Sequence, residues 1–527
     1  MKNVIAAGDR TTVDAARVIL ERGGNAYDAA VGACFAAMVA EPALTSAGGG
    51  GHFMAYPSGG FPILFDFFVD MPSGRLRKSE LDFFSVDVDF GGAIQTFHAG
   101  RGAAAVPGTV AGLLHVHERL GTIPLPEVME PAIVAARDGV ALSDMQIYLL
   151  NILAPIMTHD EMGRTLFTCD GTALEEGNRL VLAEFADFLD VLSREGPDLV
   201  YRGDVAKIIV EWAENGGLIL ARDLENYRVR ERTPLATPFN GYTVLLNPPP
   251  AVSGILIDVT LSLLEATGST RHCPLPLKTL VSAFEETNRV RREQLPNGVV
   301  EEDRQLLSGQ RLFMASLERF TRSTATGFAG SESLPPGATT HISVLDRQGN
   351  AASVTTTNGE GCGYVLSQAG FMLNNMLGEE DLNPEGFHQY PPGLRLSSML
   401  APTIVLSDES RAVTRRMAGS PPGAGVPHLL TGTAGSNRIR SVVVQIVVNF
   451  LCNGVSLRES TDAPRVHLEG EILQVEPGIP EEDLLELEHR YVVKRWAEQN
   501  LFFGGANSAT RDEGAGDSRR GGRSLVF

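Results

Sequence analysis

The stretch that most constrains the fold is "GATTHISVLDRQGNAASVTTTNGEG", residues 337–361. Val, Ile, Ser and Thr alternate on both sides of Arg347-Gln348-Gly349-Asn350. β-Branched runs that flank a Gly-Asn turn are typical of two antiparallel strands. The pattern therefore predicts a β-hairpin, but it does not explain why two threonines directly follow a Pro-Pro-Gly-Ala segment.

Helical patterns come before this hairpin and strand patterns dominate after it. "TTVDAARVILERGGN" predicts a helix with a Thr cap and a Gly-Gly stop, and "AYDAAVGACFAAMVAEP" predicts a more buried helix. "TSAGGGGHFMAYPSGGFPILFDFF" predicts a glycine loop that leads into a hairpin. We predict strands at 339–346, 351–357, 369–373 and 401–406, then an apolar helix in "NRIRSVVVQIVVNFLCNG", and a last strand near "EILQVEP".

The order of these elements indicates the architecture. Helices before and after a largely antiparallel strand set favour a sheet-on-sheet core covered by helices. We find no repeat, linker or shift in composition, so the sequence predicts one interwoven domain over 1–527. The segment 407–435 has neither helical nor strand periodicity and is either a surface insertion or the product of a slipped reading frame.

Composition excludes several classes of partner. The chain has 44 basic and 64 acidic residues and a formal charge of −20, which argues against a nucleic acid or an anionic membrane as partner. Five scattered cysteines fit a reducing compartment. No export signal is visible, and the longest apolar run, 29–40, is too short to span a bilayer, so we expect a soluble, cytoplasmic protein. No metal-ligand spacing or phosphate loop occurs, so we expect neither a metal nor another cofactor.

The position of Thr339 has a chemical interpretation beside the structural one. A threonine hydroxyl is a poor nucleophile without a nearby base, but an N-terminal threonine supplies its own. Cleavage of the Ala338–Thr339 bond would give Thr339 an α-amino group with a pKa of about 8, suited to a general base. Gly435-Ser436-Asn437 precedes a predicted helix and could offer N–H groups to an oxyanion. The alternatives are an ordinary strand threonine and a simple helix cap.

Several long motifs occur in order along nearly the whole chain: "GGNAYDAAVGACFAAMVAEPALTSAGGGGHFM", "VPGTVAGL", "TTHISVLDRQGNAASVTTT", "FMLNNM", "LSSMLAPTIV" and "GSNRIRSVVVQIVVN". Together they resemble the gamma-glutamyltranspeptidase family of N-terminal nucleophile hydrolases. The resemblance implies an α+β fold, a four-layer αββα sandwich, and a proenzyme that cleaves itself into chains 1–338 and 339–527, which stay together as a heterodimer.

The resemblance also implies roles for single residues. Thr339 matches the nucleophile, and Thr357 matches the threonine whose hydroxyl holds the nucleophile's amino group. Gly435 and Ser436 match the oxyanion loop, where the family usually has two glycines; an earlier "AGSPPG" at 419–423 also resembles this loop. A positive φ at Ser436 would cost stability or geometry.

The substrate pocket departs from the family pattern. Ser397 and Ser398 match the pair that holds the glutamyl α-carboxylate, and Asn358 matches a pocket asparagine with a shift of one residue. The family's carboxylate-binding arginine is Phe68 here, and an apolar ring cannot replace a bidentate cation. Where the family has Gln or Glu and then Asp to hold the α-amino group, this chain has Met376 and Glu379, so only one carboxylate remains. Arg395 could restore a cation, or it could be an ordinary surface arginine.

The sequence thus predicts a threonine-dependent amidohydrolase or acyltransferase that forms an acyl-enzyme. The acyl donor is a γ-glutamyl, glutathione-like amide or a related acyl amide, and the acceptor is water or an amine such as an amino acid. Two alternatives stay open: an acylase for glutaryl-type amides without an α-amino acid head, and an unprocessed, inactive relative that acts as a binding protein.

Overall fold

The computed structural model describes residues 1–89, 94–268, 270, 274–295, 310–322, 338–407 and 425–527. Most of the predicted 407–435 insertion, including the second loop-like stretch at 419–423, lies outside the described residues. The Pro-Pro-Gly part of the segment before Ala338 lies outside them as well.

The hairpin predicted from the alternating pattern forms the middle of the first sheet. Its strands pair antiparallel from Thr340 opposite Thr356 to Leu345 opposite Ala351, and Gly349 takes a φ of 91° in the turn. In the described part of the chain this sheet has seven strands, in the spatial order Arg230–Arg232, Ile63–Phe67, Gly50–Tyr56, Ala351–Thr357, Thr340–Leu345, Val4–Ala7 and Arg523–Val526.

A second antiparallel sheet faces the first. Its described strands follow the order Leu235–Phe239, Tyr242–Leu246, Thr403–Ser407, Val426–Thr431, Gly505–Ala509 and Thr433–Ala434, and Gly514–Gly516 also pairs with Gly505–Ala509. Smaller sheets are formed by Val466–Glu469, Ile472–Val475 and Val492–Arg495, and by the pairs Phe84–Asp89 with Ile94–Ala99, Val140–Ala141 with Arg179–Leu180, Thr168–Cys169 with Thr172–Ala173, and Val365–Leu366 with Phe371–Met372.

Helices cover the outer faces of both sheets, which gives the four-layer αββα arrangement that the resemblance implied. Ala26–Ala40 is wholly buried, because its small side chains let it pack directly on the central hairpin. The helices on the first sheet include Arg10–Glu21, Ala26–Ala40 and Thr109–Leu120; those on or near the second are Val252–Ala266, Leu277–Gln294, Gln310–Arg322 and Ile439–Leu451. The others are Leu125–Asp138, Asp144–Ile152, Ala154–Met157, Glu161–Phe167, Ala183–Glu195, Asp198–Tyr201, Asp204–Ala213, Ala221–Asn226, Leu457–Asp462 and Glu481–Glu488.

The space between the sheets is part apolar and part polar. Met54, Leu345 and Leu430 belong to one buried apolar cluster there. His341 lies in the polar part, where its Nδ1 is 2.7 Å from the Thr355 hydroxyl. Burial lowers the pKa of His341 to about 3, so the imidazole is neutral at physiological pH.

Three details of the sequence prediction need correction. The segment 407–435 was predicted to have no strand, but its described end forms the strands Val426–Thr431 and Thr433–Ala434. The first helix is capped by Asp9, whose carboxylate accepts from the N–H of Thr11, and not by a threonine. The strand near "EILQVEP" is not the last, because Val492–Arg495, Gly505–Ala509, Gly514–Gly516 and Arg523–Val526 follow it. Stretches such as "GANSA" lack β-branched alternation, and their strand conformation comes from pairing with buried neighbours.

Both sheets contain strands from both sides of the Ala338–Thr339 bond. Cleavage at that bond would therefore leave the hydrogen-bonded ladders intact. Among the described residues, no helix combines the length and the apolar character needed to cross a membrane.

Candidate active site

The Ala338–Thr339 bond is buried at the start of the central hairpin. Ala338 is 6% and Thr339 is 4% exposed. The Thr357 hydroxyl donates a hydrogen bond to the Ala338 carbonyl, and the N–H of Gly359 donates to the same hydroxyl at 3.1 Å. Within the described residues, no hydrogen bond engages the Thr339 hydroxyl. A hydroxyl without a partner thus lies next to a peptide carbonyl that already has a donor.

The neighbouring threonine has a different environment. The Thr340 hydroxyl donates to Glu41 Oε2 at 2.8 Å, and Thr12 donates to the other oxygen of that carboxyl group. Burial, and then the charge of Asp9, raises the pKa of Glu41 to about 8. Thr340 is therefore held by an internal carboxyl group, which separates the two threonines that the sequence could not tell apart.

A carboxyl group that the sequence analysis missed also contacts the junction. The N–H of Ala338 donates to the Glu360 carboxylate, and Asn375 Nδ2 donates to Glu360 Oε2 at 3.2 Å. Burial raises the pKa of Glu360 to about 7. Burial and the charge of Glu360 also raise the pKa of Glu379 well above its usual range. Ionisation of both acids would place two negative charges together in a buried site. The pair therefore keeps one proton at neutral pH.

The glycine run before His52 brings the chain against this junction. A Cβ atom on Gly49 would lie 2.2 Å from the carbonyl oxygen of Thr357. Only glycine allows such a close approach of two backbones. The run therefore serves packing at the site, and its strand, Gly50–Tyr56, begins within the glycines.

The predicted oxyanion loop lies between a short strand and a helix, as expected from the sequence. Gly435 has a φ of 120° and Ser436 a φ of 46°, so the non-glycine residue does occupy the left-handed region. The Ser436 hydroxyl donates to Asp381 Oδ2 at 3.0 Å. The helix Ile439–Leu451 begins directly after the 3-10 turn Ser436–Arg438. The role of the loop as an oxyanion site stays a prediction.

The predicted pocket residues have mixed environments. Asn358 is buried, and its Oδ1 has no hydrogen-bond partner, as is also true of Oε1 of Glu379. The Ser397 hydroxyl donates to the Pro250 carbonyl at 2.7 Å. The Ser398 hydroxyl lies 2.9 Å from Nε2 of His52, a residue that the sequence analysis did not consider.

The two positions that depart from the family pattern are both apolar and buried. Phe68 is 2% exposed, and its ring stacks on His52 with centroids 6.0 Å apart. Met376 is 1% exposed and belongs to the same apolar cluster as Phe68. Burial lowers the pKa of His52 to about 4, so its neutral ring adds no cation here.

Arg395 belongs to a closed ionic network, which we call the Arg395 cluster: Arg395, Asp66, Asp70 and Arg232. Nε of Arg395 donates to Asp70, and Nη1 donates to the carboxylate and the carbonyl of Asp66, both at 2.8 Å. Nη2 donates to the Arg228 carbonyl at 2.9 Å, and Arg232 pairs with the second oxygen of Asp66. Burial opposes ionisation of Asp66, but Arg395 and its neighbours hold the pKa of that carboxyl group well below its usual range.

The prediction for Arg395 therefore needs correction. Its side chain is 2% exposed, so the alternative of a surface arginine is wrong. All three of its guanidinium nitrogens already donate to internal acceptors, so this geometry leaves none of them for a substrate carboxylate.

Two residues with a detectable signal were overlooked. Glu360 comes shortly after Thr357 in "TTTNGEG". An acidic residue so close in sequence to a candidate catalytic threonine could have been predicted as a site residue. Arg440 interrupts the apolar run of "NRIRSVVVQIVVN", and a charge in the first turn of a buried helix is unusual.

Comparison with known proteins gives consistent results. A family model described as gamma-glutamyltranspeptidase matches residues 12–527. The chain is 31% identical over 519 residues to the glutathione hydrolase proenzyme of Escherichia coli (strain K12), with 92% of this chain and 85% of that protein covered. It is also 31% identical over 482 residues to the Acylase ACY 1 proenzyme of Pseudomonas sp. (strain SE83), with 88% and 82% covered.

Solved structures agree on the fold. A cephalosporin acylase from Bacillus halodurans superimposes with a TM-score of 0.82 at 19% identity, covering 99% of this chain and 95% of that one. At this identity the likeness concerns the fold alone. The gamma-glutamyltranspeptidase of Helicobacter pylori gives a TM-score of 0.52 at 26% identity, covering 60% of this chain and 91% of that one.

Proposed function

The chain belongs to the gamma-glutamyltranspeptidase family and is an enzyme of the hydrolase and transferase type, and we propose that it is a proenzyme that cleaves itself before Thr339 and then uses Thr339 as its nucleophile. The single observation that carries this proposal is the hydrogen bond from Thr357 to the Ala338 carbonyl, beside a Thr339 hydroxyl that has no partner among the described residues.

Self-cleavage follows from the chemistry of that arrangement. The Thr339 oxygen attacks the Ala338 carbonyl carbon, and the Thr357 hydroxyl stabilises the negative charge that develops on the oxygen. The C–N bond breaks as the nitrogen takes up the proton, which leaves an ester between Ala338 and Thr339. Water hydrolyses that ester, releasing the Ala338 carboxylate and a free α-amino group on Thr339.

In turnover the new α-amino group serves as the base. It accepts the proton of the Thr339 hydroxyl, the oxygen attacks the acyl donor, and the amine of the donor leaves with a proton. Water or a second amine then attacks the acyl-enzyme ester. Because only the neutral amine accepts a proton, activity rises with pH through a pKa near or below about 8. A flat profile from about pH 6 to 9, with chemistry rate-limiting, would contradict this base.

After cleavage, chains 1–338 and 339–527 stay together as a heterodimer. Both sheets are built from strands of both chains, so separation would break ladder hydrogen bonds across the core. The matched relatives in Escherichia coli and Pseudomonas are also described as proenzymes.

The acyl donor is an amide of the γ-glutamyl class or a close relative of it. A specific observation favours a second candidate, an acylase for glutaryl-type amides. Phe68 replaces the family's arginine, and Arg395 is ion-paired with Asp66 and Asp70, so neither residue holds a glutamyl α-carboxylate as the family's arginine does. Glutathione is then a poorer substrate than a glutaryl amide, as a comparison of kcat/KM for the two would test.

Intact mass and N-terminal sequencing of the purified protein test the central proposal. We expect two chains, the smaller one covering 339–527 and beginning Thr-Thr-His-Ile. Thr339→Ala abolishes cleavage, and the matched variant Thr339→Ser, which keeps a hydroxyl, still cleaves. Thr357→Val slows cleavage by about 10²-fold, the usual effect of losing one oxyanion donor.

The second alternative from the sequence, an unprocessed binding protein, makes the opposite prediction. A wild-type protein that stays one chain after prolonged incubation, with its original N-terminus, would establish that alternative and refute the proposed function.

A further inference from the structure

A second buried arginine, Arg440, lies in the first turn of the helix that follows the predicted oxyanion loop, and it forms no ion pair within 4.0 Å with a described residue. Arg440 is 7% exposed, and its Nε has no hydrogen-bond partner. No described residue forms a hydrogen bond or an ion pair with Arg440. Burial of an unpaired guanidinium costs several kcal/mol, so such a group signals a missing anion.

The charges around Arg440 do not balance. Arg291, Glu469, Asp381 and Arg292 face it, and burial together with Arg291 lowers its pKa to about 9, which leaves it charged at neutral pH. The same two carboxylates, Glu469 and Asp381, also face Arg438. We call Arg440, Arg291, Arg438, Asp381 and Glu469 the Arg440 cluster: three cations and two anions.

This positive region adjoins the candidate active site. Arg440 lies in the first turn of the helix that follows the predicted oxyanion loop. Asp381, which faces Arg440, accepts a hydrogen bond from Ser436 and raises the pKa of Glu360. Glu360 in turn accepts from the N–H of Ala338. A buried arginine whose Nε has no hydrogen-bond partner among the described residues, in a chain of formal charge −20, would attract an anionic ligand to this site.

We propose that Arg440, supported by Arg291, binds a carboxylate of the small-molecule substrate, so that helices near the second sheet supply the cation that is missing at Phe68 and committed at Arg395. This inference rests on the proposed function for the identity of the substrate, but not for the existence of the anion site. The same chemistry could come from the acyl donor or from the acceptor, and the two sources are separable by experiment.

Binding is measured first, by thermal shift with glutarate against its neutral diamide, glutaramide. Glutarate raises the Tm of the wild type and of the charge-matched control Arg347→Gln, which alters an exposed turn residue. Arg440→Gln loses this increase, and Arg440→Lys keeps part of it. Glutaramide has no effect on any of the four proteins.

Kinetics then identify the source of the carboxylate. With glutaryl and butyryl p-nitroanilides as donors, Arg440→Gln lowers the glutaryl preference by about 10–100-fold, mainly through KM, as expected for loss of a charge-assisted hydrogen bond. If only the KM for a carboxylate-bearing acceptor rises, relative to its amide, the site belongs to the acceptor.

Other outcomes would overturn the proposal. One is an equal effect of glutarate on Arg440→Gln and on the wild type, with self-cleavage normal in both. Another is stabilisation of uncleaved Thr339→Ala but not of the cleaved protein, since the new Ala338 carboxylate would then fill the site. A wild type that neither cleaves nor turns over, but binds glutarate through Arg440, would refute the proposed function alone.

Discussion

The two buried arginine clusters solve the same electrostatic problem in opposite ways. In the Arg395 cluster two arginines meet two aspartates, and every nitrogen of Arg395 has an acceptor. In the Arg440 cluster three arginines share two carboxylates, and Arg440 has no partner among the described residues. A closed network stabilises the fold and leaves nothing for a ligand, whereas an open one destabilises the free protein and can bind an anion.

The largest effect is expected from breaking the closed network. Arg395→Met leaves Asp66 with Arg232 alone and Asp70 without its arginine, and we expect a loss of about 3–5 kcal/mol, the usual consequence of removing one partner of a buried pair. Chemical denaturation measures this loss. A change of less than about 1 kcal/mol would mean that the network is not closed as described.

We expect the next largest change in stability when a new cation is placed beside the Arg395 cluster. Phe68→Arg would bury a guanidinium beside a neutral His52 and beside aspartates that are already paired, and we expect a loss of about 2–4 kcal/mol. The variant is measured with and without glutathione. A variant as stable as the wild type, with improved glutathione turnover, would show that this wall tolerates the family's arginine.

In the Arg440 cluster, we expect the same type of substitution to change the free energy of unfolding in the opposite direction. Arg440→Met removes a buried charge without leaving a partner unpaired, and we expect a gain of about 1–3 kcal/mol in the absence of ligand. Denaturation alongside Arg395→Met makes the pair a matched test. A loss of stability in both variants would remove the distinction between the clusters.

The contribution of the buried acid Glu41 to the free energy of unfolding should depend on pH. The pKa of Glu41 is raised to about 8 in the folded protein, so its favourable contribution is present below the unfolded value near 4.5 and is lost as pH rises through 8. Glu41→Gln should therefore match the wild type near pH 4 and be about 1–2 kcal/mol more stable near pH 6, with a larger difference at pH 8. A difference that does not change with pH would contradict the raised pKa.

The smallest effect is expected at the oxyanion loop. Ser436→Gly relieves a φ of 46° but loses the hydrogen bond to Asp381, and these two contributions of about 1 kcal/mol each oppose one another. We expect a net change within about 0.5 kcal/mol, measured by denaturation, with Gly435→Ala as the strained comparison. A large gain would mean that the hydrogen bond contributes little.

Sequence patterns alone predicted the central hairpin, the buried helix Ala26–Ala40 and Thr339 as the candidate nucleophile. These signals are local: alternation across a Gly-Asn turn, an alanine-rich apolar run that ends before a proline, and a threonine after a Pro-Gly break. The long motifs added the four-layer order of the fold. Strands such as Gly505–Ala509 could not be read, because glycine and alanine adopt that conformation only where a neighbouring strand supplies the hydrogen bonds.

Which charged and polar groups are available for chemistry could be seen only in the folded structure. The sequence selected Thr339 by its position after the Pro-Gly break, but it did not show that Thr340 is held by a carboxyl group, or that Arg395 is paired while Arg440 is not hydrogen-bonded to a described residue. Glu41 holds Thr340, and Asp66 and Asp70 hold Arg395, from positions about 300 residues away along the chain. Whether a buried group is paired depends on which partners the fold brings within about 3 Å, and no local pattern encodes that distance.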